Sequence, residues 1–148
     1  MPMVASNLAG NTEFLKRNYE GAIVEYKKTI EGSDSIKSKK DAYALYRIGE
    51  CYSYLNNPEE AVNYLNNAIT SGYQEAEAYM VYGKNLQKLG KYKLAKAAFE
   101  EVERLLEMPQ YREMTWRIVA KDMHRVLNGS KGRAHWKEDL AGLMDINK

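Results

Sequence analysis

Residues 42–73 read AYALYRIGECYSYLNNPEEAVNYLNNAITSGY, and residues 76–107 read AEAYMVYGKNLQKLGKYKLAKAAFEEVERLLE. The two stretches share landmarks at a constant offset of 34 residues. These landmarks are Gly49 and Gly83, Asn56 and Gly90, Ala61 and Ala95, and Leu65 and Phe99. Self-similarity at a period of this length is typical of repeat architectures. The sequence therefore predicts two copies of one supersecondary unit.

The hydrophobic spacing within each copy predicts a pair of helices. In the first copy, two stripes with helical spacing are separated by a short polar segment. The first stripe is Leu45, Ile48, Tyr52 and Leu55, and the second is Ala61, Val62, Leu65, Ala68 and Ile69. Asn57 is suited to cap the second helix, and Pro58 fits the first helical turn, where its missing N–H costs little.

Two glycines fall inside predicted helices at equivalent positions of the two copies. A glycine there costs about 1 kcal/mol relative to alanine, so its recurrence needs a physical reason. Close approach of the paired helices supplies one. We expect Ala61 to face Gly49 and Ala95 to face Gly83 across their hairpins. Cys51, two residues after Gly49, is expected to be a small buried residue, because no histidine is near it in sequence to activate the thiol.

The residues at these positions resemble the tetratricopeptide repeat (TPR) family. Its pattern is filled by Leu45, Ile48, Gly49, Tyr52, Ala61, Leu65 and Ala68, and again by Tyr79, Tyr82, Gly83, Leu86, Gly90, Tyr92, Ala95, Phe99 and Val102. One departure is Pro58, which replaces the aromatic residue that opens the second helix. The resemblance implies an all-α fold of TPR-like antiparallel hairpins, stacked as a short right-handed solenoid with a C-terminal capping helix.

Outside the two clear copies, the resemblance predicts further organisation. Residues 1–31 are interpreted as a degenerate first hairpin, with Tyr19, Ala22 and Tyr26 at second-helix positions. This hairpin is followed by a connecting loop over 32–41 and by repeats over 42–73 and 74–107. The array then needs a terminal cap, and the amphipathic stretch 108–127 is expected to supply it. Residues 128–148 are predicted to be a flexible link and a helical segment.

Composition and charge narrow the possible functions. The 148-residue chain has 22 Lys plus Arg and 20 Asp plus Glu, a net charge of +2, which argues against nucleic-acid binding. One cysteine and two histidines cannot form a disulfide framework or a four-ligand zinc site. His124 and His135 stand in no recognisable catalytic pattern. We therefore predict that the chain is not an enzyme and holds no cofactor and no metal.

The resemblance also places certain side chains in a concave groove that binds a peptide or protein. The expected groove residues are Asn7, Asn11, Tyr43, Tyr46, Arg47, Glu50, Tyr54, Met80, Lys84, Gln87 and Lys88. Tyrosines beside Arg and Lys suit such a surface, because they bury area at a small entropic cost and form hydrogen bonds. Some of these tyrosines could instead only seal neighbouring helices.

One TPR subclass holds the C-terminal carboxylate of a chaperone with Lys, Asn, Asn, Lys and Arg. The corresponding positions here are Asn7, Asn11, Arg47, Glu77 and Val81, of which only Asn11 matches. Glu77 would repel a carboxylate, so we predict that the chain is not a receptor of this kind.

The sequence predicts a non-catalytic scaffold or adaptor that binds a peptide segment or a partner subunit in the groove. Three alternatives remain open: a secretion-type chaperone, the TPR portion of a larger envelope or secretion-system assembly, and a self-association module. A homo-oligomer could form through the C-terminal segment. No apolar run is long enough for a membrane span, and no signal peptide is recognisable. A cytoplasmic location is expected, or a periplasmic one if a signal was removed.

Overall fold

Helical hairpins at both predicted repeats are present in a computed structural model, which describes residues 6–31 and 39–109. This part of the chain is all-α. Its helices are α1 (Leu8–Leu15), α2 (Tyr19–Glu31), α3 (Lys39–Tyr54), α4 (Pro58–Thr70), α5 (Ala76–Lys88) and α6 (Tyr92–Leu106). The chain divides into two compact units, Met1–Gln74 and Glu75–Lys148, here called unit 1 and unit 2. The expected capping helix over 108–127 and the segment 128–148 lie outside the described residues, except for 108 and 109.

The helices pack as consecutive hairpins. In unit 1, α1 pairs with α2, α3 pairs with α4, and α2 also packs against α3, which joins the two hairpins. In unit 2, α5 pairs with α6.

A glycine on the first helix of each hairpin allows the close approach. A Cβ added at Gly49 would lie 2.6 Å from Leu65 Cγ, and one at Gly83 would lie 2.6 Å from Phe99 Cε1. The expected close approach is thus confirmed. The nearest side chains belong to Leu65 and Phe99, one helical turn beyond Ala61 and Ala95, because a large side chain rather than a small one fills the space above each glycine.

The hairpin α1–α2 has the same arrangement. A Cβ at Gly10 would overlap the ring of Tyr26. In all three hairpins the large side chain stands sixteen residues after the glycine that receives it. The first hairpin therefore closes by the same contact as the other two.

The first helix of each hairpin ends in the same turn. Arg17, Asn56 and Gly90 adopt left-handed backbone conformations, with φ of 63°, 59° and 77°. The next residue in each hairpin donates its N–H to a carbonyl five residues back, at 2.9 Å. These bonds join Asn18 to Glu13, Asn57 to Tyr52, and Lys91 to Leu86. This is the Schellman arrangement, which satisfies the last carbonyls of a helix and reverses the chain.

Helix α4 begins where the sequence predicts, whereas α3 begins earlier than predicted. Asn57 Oδ1 accepts the Glu60 N–H and Pro58 occupies the first turn of α4, so the predicted cap is confirmed. In contrast, α3 begins at Lys39, inside the predicted loop over 32–41. Lysines at 39 and 40 are good helix formers, and an acidic residue in the first turn, here Asp41, is favoured by the helix dipole.

The core of unit 1 lies between its two hairpins. It contains Ala22, Ile23, Tyr26, Ala44, Ile48 and Cys51. Cys51 is 0% exposed and has no disulfide partner, which confirms its predicted structural role. Leu55, assigned to the apolar stripe, is instead exposed because α3 ends one residue before it.

Candidate functional site

Arg47 is the centre of a cluster of aromatic and polar side chains in unit 1. Its guanidinium carbon lies 4.3 Å from the ring centre of Phe14, 5.5 Å from that of Tyr43 and 6.0 Å from that of Tyr46. Arg47 Nε donates to the Tyr43 hydroxyl and Nη1 donates to Glu50 Oε1, both at 2.8 Å. Three aromatic rings and two hydrogen bonds thus fix the guanidinium in one orientation.

A hydrogen-bond network connects Arg47 to the first hairpin. The Tyr43 hydroxyl donates to Asn11 Oδ1 at 3.1 Å, and the Tyr26 hydroxyl donates to the same oxygen. One side chain of α1 therefore receives bonds from both α2 and α3. Because a carbonyl oxygen has two lone pairs, Asn11 can satisfy both donors at once.

The electrostatic environment keeps Arg47 charged. Burial lowers the pKa of Arg47. The hydrogen bond to Tyr43 and the nearby Glu50 carboxylate raise this pKa by more than burial lowers it, so the net shift is upward. The guanidinium is therefore a permanent, half-buried positive charge paired with Glu50.

Phe14 links this arginine to two further aromatic rings. Tyr19 and Tyr54 stack with ring centres 4.5 Å apart and planes 6° from parallel. Phe14 meets both rings edge-on, at 5.4 Å from Tyr19 and 6.0 Å from Tyr54. Tyr54 is 58% exposed. We call Phe14, Tyr19, Arg47, Glu50 and Tyr54 the Arg47 surface.

Two members of the aromatic cluster were missed by the sequence analysis. Tyr19 was assigned only to a second-helix position, and Tyr73 was not assigned to the groove. Tyr73 stacks on Tyr46 with ring centres 4.7 Å apart. Tyr46 is only 3% exposed, so it fills space between helices and offers little surface to a ligand. The recurrence of aromatic residues at the ends of helices was the available signal, but it does not specify which rings meet.

The remaining predicted groove residues occupy several environments. Asn7 is the N-cap residue of α1 and is half-buried. In unit 2, Met80 and Gln87 are buried, Lys84 is half-buried and Lys88 is exposed. Burial, followed by the charge of Lys88, lowers the pKa of Lys84. The structure thus brings Asn11, Tyr43, Tyr46, Arg47, Glu50 and Tyr54 together in unit 1, while the α5 residues belong to unit 2.

Metal-binding clusters and membrane-spanning helices are absent from the part of the chain that the structure describes. Within 6–31 and 39–109, no three His, Cys, Asp or Glu side chains are grouped so that they could hold a metal ion. No helix in the same part of the chain is both long and apolar enough to cross a membrane.

Comparison with known protein families gives two matches. Two family models, both describing the tetratricopeptide repeat, match residues 43–71 and 76–105. The first match covers most of α3 and α4, and the second covers α5 and most of α6. No curated protein matches the sequence. Repeats of this type are generally protein–protein interaction modules, and residues 43–71 and 76–105 of the chain are two repeats of the tetratricopeptide family.

Proposed function

We propose that the protein is a non-catalytic scaffold or adaptor that binds a peptide segment or partner subunit, and that the partner contacts the Arg47 surface. The observation that carries this proposal is the exposed, stacked Tyr54 ring, which Phe14 links to an immobilised arginine. Tyrosine and arginine are the residues in which binding energy at protein interfaces is most often concentrated.

The Arg47 surface is arranged to bind with little loss of entropy. Arg47 is held by Phe14, Tyr43 and Glu50 in the free protein, so its side chain does not have to be ordered when a partner arrives. Tyr19 and Tyr54 restrain each other by stacking. Preorganisation of this kind increases affinity because the ordering cost has already been met by folding.

The Arg47–Glu50 ion pair limits which chemical groups a partner could present to the Arg47 surface. Since Glu50 already accepts from the guanidinium, Arg47 is not an open receptor for a single carboxylate. The exposed part of the surface is mainly the Tyr54 ring and the edge of its neighbours. A partner would therefore place an apolar or aromatic side chain against Tyr54 and make hydrogen bonds to the Tyr54 hydroxyl and the Glu50 carboxylate.

The test is a pull-down with the tagged full chain, in which proteins from the source cells are quantified by mass spectrometry. The variant Tyr54→Ala removes an exposed ring that lies outside the buried core. The control variant Val24→Ala shortens another exposed apolar side chain, on α2. We expect Tyr54→Ala to reduce recovery of the partner about tenfold or more, as for a typical interface hot spot. Equal recovery with both variants would count against the Arg47 surface.

Self-association is a second candidate function, favoured by a separate observation. Leu8 and Leu15 lie two turns apart on α1 and are both exposed, Leu15 by 82%. A second copy could cover them. Sedimentation of the full chain over a range of concentrations tests this, with Leu15→Ser as the variant and Leu94→Ser, another exposed leucine, as the control. A chain that remains monomeric at all concentrations rejects self-association.

A further inference from the structure

The turn between α5 and α6 concentrates positive charge. Residues 78–99 contain five lysines and no acidic residue. Two of the lysines precede the turn and three follow it, and antiparallel pairing of α5 with α6 brings them to the same end of the hairpin. We call these residues the lysine tip: Lys84, Lys88, Lys91, Lys93 and Lys96.

The charge of the lysine tip is not neutralised by the described residues. None of its five amines forms an ion pair within 6–31 and 39–109. Elsewhere in this part of the chain, cations do pair with a glutamate three residues away, as in Lys16–Glu13, Lys28–Glu25, Arg47–Glu50 and Arg104–Glu101. The downward shift in the pKa of Lys84, caused first by burial and then by Lys88, has the sign expected for an uncompensated amine. Among the described residues, folding thus leaves this group of positive charges without a paired carboxylate.

The opposite end of the same hairpin is acidic. It carries six glutamates, Glu75, Glu77, Glu100, Glu101, Glu103 and Glu107. A 13-residue helix such as α5 is about 20 Å long, which is roughly two Debye lengths at physiological salt. A short anionic segment at the lysine tip is therefore screened from these glutamates. A long polyanion that lies along the hairpin would extend toward them and meet repulsion.

We infer that the lysine tip binds a short acidic peptide segment, and that this contact is separate from the one at the Arg47 surface. The inference rests on the proposed scaffold function, since it names the chemistry of a segment that a recruited partner carries. Carboxylates spaced along an extended peptide can contact amines on both sides of the turn. Each exposed pair is weak, but several together give a measurable, salt-sensitive affinity.

The test uses fluorescence anisotropy of a short labelled peptide of alternating Glu and Ser, mixed with the full chain. The variant Lys88→Gln/Lys91→Gln/Lys93→Gln removes three exposed charges from the lysine tip. The matched control, Lys16→Gln/Arg17→Gln/Lys28→Gln, removes three exposed charges from unit 1. We expect the affinity of the first variant for the peptide to fall by about tenfold or more. The affinity of the control should stay within about twofold of that of the unchanged chain. Added salt should weaken binding by the unchanged chain.

Three results would overturn the inference. One is the absence of peptide binding by the unchanged chain. Another is an equal loss of peptide affinity in the two triple variants, which would mean that binding depends on net charge alone. The third is tighter binding of a labelled oligothymidine than of the peptide, which would indicate a nucleic-acid surface.

A Tyr54→Ala chain included in the same assay separates the two proposals. We expect this chain to bind the acidic peptide normally, because Tyr54 belongs to unit 1. If the lysine tip fails the assay, the pull-down test of the Arg47 surface is unaffected. If the pull-down fails while the peptide still binds at the tip, the Arg47 surface alone is rejected.

Discussion

Tyr19, the first residue of α2, stacks face to face on Tyr54, the last residue of α3. The two residues come from different hairpins, and Phe14 of α1 meets both rings edge-on. The exposed part of the Arg47 surface therefore exists only while the two hairpins of unit 1 are stacked. The same contact that offers a ring to a partner also holds the first hairpin on the second.

The stacking of Tyr19 on Tyr54 should appear as a coupling energy. In a double-mutant cycle with Tyr19→Ala and Tyr54→Ala, we expect the two losses of unfolding free energy to be non-additive by about 0.5–1.5 kcal/mol, the usual value for an aromatic pair. Urea denaturation measures this. As the control, a cycle of Tyr19→Ala with Leu94→Ala, which lies in unit 2, should be additive. Additivity in the first cycle would mean that the rings do not interact in solution.

Gly49→Ala should destabilise the protein although alanine is the better helix former. The added Cβ would lie 2.6 Å from Leu65 Cγ and 3.2 Å from the Leu65 backbone nitrogen, so the helices must separate. Overpacking costs about 1–3 kcal/mol, and helix propensity returns about 1 kcal/mol. We expect a net loss of about 1 kcal/mol in thermal or urea unfolding. In the Leu65→Ala background, Gly49→Ala should instead be neutral or stabilising, and a loss of the same size there would contradict the contact.

Arg17→Gly should stabilise the first hairpin. Arg17 holds a φ of 63°, a left-handed conformation that costs a residue with a Cβ roughly 1–2 kcal/mol. Part of this gain is offset by the greater freedom of glycine in the unfolded chain, so we expect a net gain of about 0.5–1 kcal/mol. Asn56→Gly is the control and should gain less, because asparagine tolerates the same conformation. Urea unfolding curves compare the two, and an equal or larger gain at position 56 would argue against backbone strain at Arg17.

The buried Cys51 should make the protein less stable in alkali. Burial raises the pKa of the Cys51 thiol to about 12 from the ordinary 9.0. Above pH 9 the unfolded chain releases this proton and the folded chain retains it, so the unfolded state binds fewer protons and the free energy of unfolding falls with rising pH. We expect up to about 1 kcal/mol of extra loss between pH 9 and pH 10.

The control for this prediction is Cys51→Ala, which has no thiol to titrate. Its free energy of unfolding should decline less steeply than that of the unchanged chain over the same pH interval. Tyr26, whose pKa is also raised mainly by burial, is present in both proteins. Parallel pH curves for the two proteins would show that Cys51 does not titrate on unfolding.

Much of the fold could be predicted because it depends on local spacing. Gly49 and Gly83 stand at equivalent positions 34 residues apart, and this spacing predicted both matched repeats. Asn57 followed by Pro58 predicted the beginning of α4. The partner of Gly49 could not be read from the sequence in the same way. It depends on how far the second helix slides along the first, and Ala61 and Leu65 differ by only one helical turn.

The candidate site was less predictable than the fold. Spacing placed Tyr43, Arg47 and Tyr54 on α3, but not the rings that meet them. Tyr19 reaches Tyr54 because α2 packs on α3, a long-range contact that no local pattern specifies. Tyr46 was expected to face the groove, yet Tyr73 covers it, since the chain folds back after α4.

A hairpin of this kind can be recognised by a glycine in its first helix and a bulky residue sixteen positions later that covers it. The first hairpin is outside both family matches, yet Gly10 and Tyr26 keep the interval that Gly49 and Gly83 show with Leu65 and Phe99. A search for this interval, rather than for the full repeat pattern, would detect diverged hairpins such as the first one of this chain. It would also show where an engineer could exchange one hairpin for another without disturbing its closure.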